Sequence, residues 1–175
     1  MQAPRRNVEL KALDPDPAAT LARALALGAE DHGTLEQRDT YFRVEHGRLK
    51  LREETPGAAH LIAYARRDDP AVRVSEYRIA PVAEPGPLLE ALTASLGVRV
   101  VVAKRRHLLL WEDVRIHLDA VAGLEPHLEL EAVAPPESDL RAETERVAHL
   151  RAVLDIRDEA LRPGSYADAL AGAAA

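Results

Sequence analysis

The sequence predicts an α+β protein framed on an antiparallel sheet or barrel, and three observations carry that expectation. About eight short stretches alternate polar with apolar residues at period two, as strands with one wet face do. Helical spacing is confined to stretches that fall at the connections between those strands. Breakers such as Asp14-Pro15-Asp16-Pro17, Pro56-Gly57 and Pro135-Pro136 separate each stretch from the next.

In chain order, Asn7 to Ala12 alternates and reads as the first strand. Asp16 is placed to cap a helix, Pro17 suits its first position, and Gly28 ends it behind a stripe of Leu21, Ala24, Leu25 and Ala26. Gln37 to Val44 reads as a strand and His46-Gly47 as a turn. Arg48 to Glu53 alternates strictly, with Leu49 and Leu51 opposite Arg48, Lys50 and Arg52. His60 to Arg67 and Val72 to Ala80 read as two strands around a turn at Asp68-Asp69-Pro70. Pro81 to Pro87 links them to a helix over Leu88 to Leu96, which Gly97 stops. Val98 to Arg106 and His107 to Trp111 read as strand, with Trp111 a packing residue at the strand end. After a turn at Glu112-Asp113, Val114 to Val121 sets Val114, Ile116 and Leu118 against Arg115, His117 and Asp119. His127 to Val133 alternates again, with Leu128 and Leu130 opposite His127, Glu129 and Glu131. Leu140, Val147, Leu150 and Leu154 stand at helical spacing and predict an amphipathic helix over 137–154. The Ala-rich tail after Tyr166 is expected to fray, with about 171–175 disordered. At 175 residues, the chain 1–175 reads as a single domain.

Composition narrows the function. A chain of this size buries roughly 70% of its unfolded surface, and 47% hydrophobic residues can fill its core. With no cysteine, disulfides, thiolate metal sites and a cysteine nucleophile are excluded. Aromatics are 3% of the chain and net charge is −6, so nucleic acid is a disfavoured partner. No apolar stretch is long enough to span a membrane, and residues 1–20 hold no secretory h-region. The expectation is a soluble, cytoplasmic protein with no membrane partner.

The polar strand faces carry the chemistry. Opposite the aliphatic residues lie Lys11, Lys50, Arg52, Arg66, Arg78, Lys104, Arg106 and Arg115, with Glu9, Glu76, Asp119, Glu129 and Glu131. Any one of these reads as a solvated strand residue; together they give an acidic protein a locally basic face. If the sheet curls so that these faces converge, the cations repel by several kcal/mol per pair at an effective dielectric near 20. Bound anions or ordered water must then neutralise them. A polyphosphate matches, since arginine forks its oxygens and lysine supplies compact charge. Glu9, Glu129 and Glu131 offer hard oxygens for Mg²⁺ or Mn²⁺. Cations for phosphate beside carboxylates for a divalent ion suit phosphoryl chemistry.

The chain resembles the CYTH superfamily, the triphosphate tunnel metalloenzymes, which includes class IV adenylyl cyclases, thiamine triphosphatases and inorganic triphosphatases. Six motifs in order, over about residues 5–171, carry the resemblance. Asn7-Val8-Glu9-Leu10-Lys11 looks like the opening E-x-E-x-K strand with its first Glu changed. Gly47 to Glu53 matches the basic strand, Ser75-Glu76-Tyr77-Arg78 the E-x-R-type strand, and Lys104-Arg105-Arg106 the K-x-R strand. His117-Leu118-Asp119 through Glu129-Leu130-Glu131 resembles the closing acidic pair, and Ser165 to Leu170 the S-Y-x-x-L element.

The resemblance implies a closed antiparallel eight-stranded β-barrel, a triphosphate tunnel, with helices packed outside. It implies that Lys11, Lys50, Arg52, Arg66, Arg78, Lys104 and Arg106 hold the triphosphate. Glu9, Glu129 and Glu131 would ligate Mg²⁺ or Mn²⁺, with Asp119 a further ligand. Lys11, Arg52, Glu129 and Glu131 would be the catalytic set. Asn7 stands in place of a carboxylate and removes one negative ligand. The expected activity is metal-dependent hydrolysis of tripolyphosphate, ATP or a similar triphosphate. A class IV adenylyl cyclase and a non-catalytic polyphosphate or nucleotide sensor are the alternatives, and a homodimer is left open.

Overall fold

A strictly alternating strand must send one set of side chains to each side of its sheet, and here the aliphatic set goes outward. The computed structural model describes residues 5–66 and 73–173, without the side chains of Arg66, Arg73 and Ala173. Its elements are β1 (Arg5–Leu13), α1 (Pro17–Ala26), β2 (Glu30–Phe42), β3 (Arg48–Thr55), β4 (Ala59–Arg66) and β5 (Arg73–Val82). They continue with α2 (Pro85–Leu96), β6 (Val98–Trp111), β7 (Val114–Val121), β8 (His127–Ala134), α3 (Arg141–Val153) and α4 (Tyr166–Ala173). The strands close into an antiparallel barrel in the order β1-β5-β4-β3-β2-β6-β7-β8.

The larger hydrophobic cluster lies outside the barrel wall, and a smaller one gathers Tyr41, Val102, Val121, Tyr166 and Ala167 beside the hollow. Val8 and Leu10 of β1, Ile116 and Leu118 of β7, and Leu128 and Leu130 of β8 pack beneath Val147 and Leu150 of α3 and Ala24 of α1. Leu10, Ile116, Leu130 and Leu150 are fully buried, each contributing about 1.5–3 kcal/mol. Covering one outer face with helices leaves the polar residues to face one another inside.

Local signals act where expected. Asp16 Oδ1 accepts from Ala19 N at 3.0 Å, Pro17 opens α1, and Gly28 takes φ +91° just beyond it. Trp111 stacks on His149, ring centroids 5.3 Å apart, at the end of β6.

Most strand ends move by one or two residues from the sequence reading, and the larger differences have local causes. β2 begins at Glu30, because the polar run Glu30 to Thr34 extends the ladder with β6 around a bulge. The two stretches 98–106 and 107–111 are one strand, β6. α2 starts at Pro85, and α3 starts at Arg141 because Leu140 takes a left-handed φ of 67°. The tail expected to fray forms α4, with Tyr166 and Ala167 buried. The turn expected at Asp68-Asp69-Pro70 lies outside the described residues.

Candidate active site

Cross-strand register sets the interior. Directly opposed residues of an antiparallel pair share a face, and the ladders oppose Lys11 to Glu129, Asp39 to Arg52, Tyr41 to Lys50, Arg106 to Asp119, His117 to Glu129 and Arg115 to Glu131. Apart from Asp39 and Asp119, which lie behind their cations, these side chains surround a hollow of about 160 Å³, lined also by Asn7, Glu9, Tyr64, Ser75, Tyr77 and Tyr166.

On the β2–β3–β6 wall, one carboxylate serves three cations. Asp39 takes Lys50 Nζ at 2.9 Å, Arg52 Nε at 2.7 Å and Lys104 Nζ at 3.4 Å. Burial opposes the Asp39 charge, but Arg52, Lys50 and Lys104 outweigh it and hold the carboxyl well below its ordinary range. Burial and the neighbouring arginines push Lys50 down to about 7 and Lys104 down to about 8. For Arg52, the attraction of Asp39 exceeds the cost of burial, and its pKa rises.

The β1–β7–β8 wall carries the excess of carboxylates. Arg106 forks Asp119 through Nε at 2.7 Å and Nη2 at 2.5 Å, and Nη2 also reaches Glu129 Oε2 at 2.7 Å. Lys11 Nζ stands 3.0 Å from Glu129 Oε1, and Arg115 Nη1 3.2 Å from Glu131 Oε2. Asn7 Nδ2 donates to Glu131 Oε1, and Glu9 pairs in register with Glu131. Burial opposes ionisation of both closing glutamates; Lys11 draws Glu129 well down and His117 with Arg115 draws Glu131 down. Desolvation pushes the His117 pKa down.

The C-terminal segment completes the hollow. Tyr166 donates to Asp119 Oδ2 at 2.8 Å, and its ring lies under Lys11 Nζ at 3.9 Å and Lys104 Nζ at 5.3 Å. Lys11 Nζ donates to Gly164 O at 3.3 Å. His127 is buried against the Tyr166 ring, centroids 5.2 Å apart, with Nδ1 on Glu125 O, which is a packing role.

Of the expected site residues, Lys11, Lys50, Arg52, Lys104, Arg106, Glu9, Glu129 and Glu131 line the hollow. Asp119 is buried and engaged by Arg106 and Tyr166. Arg66 pairs with Ser75 as the last residue of β4, and its side chain lies outside the described residues. Arg78 does not belong to the set: it is exposed, and β5 turns Ser75 and Tyr77 inward instead. The reason is register, since β5 opposes Ser75 to Asn7 and Tyr77 to Tyr64, which puts Arg78 on the outer face opposite Ala63. A second expectation is also revised. The clustered cations are paired with Asp39, Asp119, Glu129 and Glu131, where bound anions or ordered water were expected to neutralise them. Asp39, His117 and Tyr166 were not among the expected site residues.

Whether these residues suit a divalent ion depends on the donors. Among the described residues no three His, Asp or Glu side chains converge on one point, because Glu129 and Glu131 lean toward their cations. The donor chemistry fits all the same: three carboxylates share one wall, beside a buried Asn7 Oδ1 that finds no hydrogen-bond partner among the described residues.

A closed barrel with its charged faces turned inward forms a tunnel enclosed by the strands. Residues 5–161 match the CYTH domain, and the chain belongs to that family. No curated protein matches the sequence. Among solved structures, a Pyrococcus horikoshii protein is similar at 21% identity, TM-score 0.82, over 93% of this chain and 98% of its own. An adenylate cyclase candidate from Vibrio parahaemolyticus is similar at 20% identity, TM-score 0.77, over 97% and 99%. A Hippeastrum adenylyl cyclase candidate with a dominant triphosphatase activity is similar at 14% identity, TM-score 0.62, over 97% and 96%. At these identities the likeness is one of fold. No helix among the described residues is long and apolar enough to cross a membrane.

Proposed function

We propose that this protein hydrolyses a triphosphate, inorganic or the polyphosphate end of an organic one, with a divalent metal ion. The observation that carries the reading is the unequal charge of the two walls. Three cations share Asp39 on one side, while Glu9, Asp119, Glu129 and Glu131 gather on the other. The first wall retains positive charge for phosphoryl oxygens; the second offers hard oxygens to a cation.

Lys50, Arg52 and Lys104 bind and orient the chain of phosphates, and Lys11 and Arg106 stand where charge spreads over the phosphoryl group that is cleaved. Tyr166 and the strand wall limit water around them. Glu9, Glu129 and Glu131 would hold Mg²⁺ or Mn²⁺, which when bound polarises phosphorus and lowers the pKa of a bound water. The hollow, about 160 Å³, is below the ~300 Å³ lower end of pockets that enclose drug-sized ligands. It suits a polyphosphate better than a whole nucleotide. The triphosphatase activity of the Hippeastrum relative agrees with hydrolysis.

The test is a panel of tripolyphosphate and nucleoside triphosphates, each with Mg²⁺ and with Mn²⁺. Phosphate release supports the hydrolase. Cyclic AMP and pyrophosphate from ATP would replace it with a cyclase, and tight binding without turnover with a sensor.

A further inference from the structure

The outer face of the barrel carries a second cavity, and register builds one side of it. Thr34, His107 and Leu118 stand opposite one another across β2, β6 and β7, and Arg105 stands opposite Ala120 in the next row. Opposed residues share a face. Arg105 is exposed while its neighbours Lys104 and Arg106 are buried against the hollow, so this face is the outward one. The other side is the N-terminal half of α1, through Pro17, Ala18 and Leu21, with Pro126 beside it. The cleft holds about 270 Å³, more than the hollow inside the barrel and close to the ~300 Å³ lower end of pockets that take small organic ligands. Its lining is mostly carbon, from α1, Leu118, Ala120 and Pro126. The polar groups are few and most are engaged. His107 Nε2 stands 2.7 Å from Asp31 Oδ1, and the Asp119 carboxylate, which also borders the cleft, is held by Arg106 and Tyr166. Arg105 makes no ion pair or hydrogen bond with any described residue, although Glu36 stands opposite it in register. Its guanidinium is an uncommitted charge on an apolar cleft, and its planar fork matches a carboxylate.

We infer that this cleft is a binding site, separate from the tunnel, for a small amphipathic carboxylate. The apolar body of the ligand lies against Leu21, Leu118 and Pro126, and its carboxylate meets Arg105. Opposite charge selects the ligand as much as apolar contact does. The hydrocarbon body takes exposed side chains out of water, and the guanidinium fork fixes the charged end. A phosphate chain does not suit this cleft, because one arginine on an apolar wall leaves most of its charge uncompensated. The site stands back to back with the tunnel. Arg105 lies between Lys104 and Arg106 on β6, and Ala120 follows Asp119 on β7.

The experiment titrates naphthoate into the whole protein and follows backbone amide chemical shifts, with excess tripolyphosphate present to compete for the basic tunnel. Shifts should concentrate at Ala18, Leu21, Arg105, Leu118 and Ala120. Naphthalenemethanol, the same body without the charge, should bind about fivefold more weakly, the upper end of what an exposed ion pair contributes. Arg105→Met removes the charge and keeps an apolar stem, so it should weaken naphthoate to the level of the alcohol and leave the alcohol unchanged. Ala18→Trp sets an indole into the cleft from an exposed helix position and should abolish binding of both. Three results would overturn the assignment: no shifts at millimolar naphthoate, shifts centred away from the cleft, or equal affinity for acid and alcohol in the wild-type protein. If Ala18→Trp does not fold, the shift map and Arg105→Met decide. The readout is binding outside the barrel, so it stands or falls independently of triphosphate hydrolysis.

Discussion

Asp39 and Arg52 meet as a two-pronged pair inside the barrel, Nε to Oδ1 at 2.7 Å and Nη2 to Oδ2 at 2.8 Å, with Asp39 only 1% exposed. Because Lys50 and Lys104 lean on the same carboxylate, it is the fixed counter-charge of the phosphate wall. Removing one partner of a buried ion pair costs about 3–5 kcal/mol, since the other charge is left unpaired. Asp39→Asn should lower stability to urea by about that amount at pH 6. At pH 9 the penalty should shrink, because Lys50 and Lys104, at about 7 and about 8, can then shed their protons. An equal penalty at both pH values would contradict the assignment.

The same two lysines set a pH dependence for anion binding. An anion stabilises their charged forms and so raises their pKa on binding. Affinity for tripolyphosphate is therefore full while both are charged in the free protein, below about pH 7, and falls as pH rises through 7 and 8. The slope approaches about tenfold per pH unit for each lysine that must take up a proton. Lys50→Arg, which stays charged, should flatten the lower part of the curve. Calorimetric titrations at pH 6, 7, 8 and 9 measure it.

Glu129 and Glu131 separate turnover from folding. Their side chains are 22% exposed, so solvent softens the loss of charge. Glu129→Gln or Glu131→Gln should lower phosphate release by about a hundredfold or more, with an unchanged circular dichroism spectrum. Full activity in either variant would remove that glutamate from the metal set.

Asp168 anchors the segment that closes the hollow. It accepts from Arg48 and Arg99 at 2.8 Å each and from Ser165 N at 2.9 Å and Ser165 Oγ at 2.7 Å. The ion pairs are partly exposed and individually weak, about 0.2–1 kcal/mol. Asp168→Ala should speed amide hydrogen exchange across α4 while leaving exchange in β1 and β8 unchanged. Uniform acceleration would mean that α4 belongs to the global unfolding unit.

Periodicity in the sequence was enough to place most of the walls. β1, β3, β7 and β8 each have a largely aliphatic side, so their charged residues sort to the opposite face on pattern alone, whereas β6 carries Lys104 and Arg106 on one face and Arg105 and His107 on the other. β5 does not sort that way. Val74 and Ile79 have opposite parity, so neither face is apolar, and only pairing with Asn7 and Tyr64 decides that Arg78 points out. Asp39 shares parity with Gln37 and Tyr41, but its importance lies in three cations from β3 and β6, contacts that no local pattern encodes. The burial of His117 and Asn7, whose Nδ1 and Oδ1 find no hydrogen-bond partner among the described residues, is not written in any local pattern. α4 did leave a trace: Ser165 and Asp168 form a reciprocal capping box, Asp168 N on Ser165 Oγ at 3.2 Å. Its alanine-rich sequence hid that signal, and the arginines that hold it come from β3 and β6.

The central claim is that the β2–β3–β6 wall is an anion site and the outer face of β5 is not. Calorimetric binding of tripolyphosphate in the presence of a metal chelator tests it most directly. Arg52→Met should weaken binding by about 10–150-fold, the value of a charge-assisted hydrogen bond, and Arg78→Met should leave it unchanged. Equal losses in both variants, or no loss in Arg52→Met, would contradict the account.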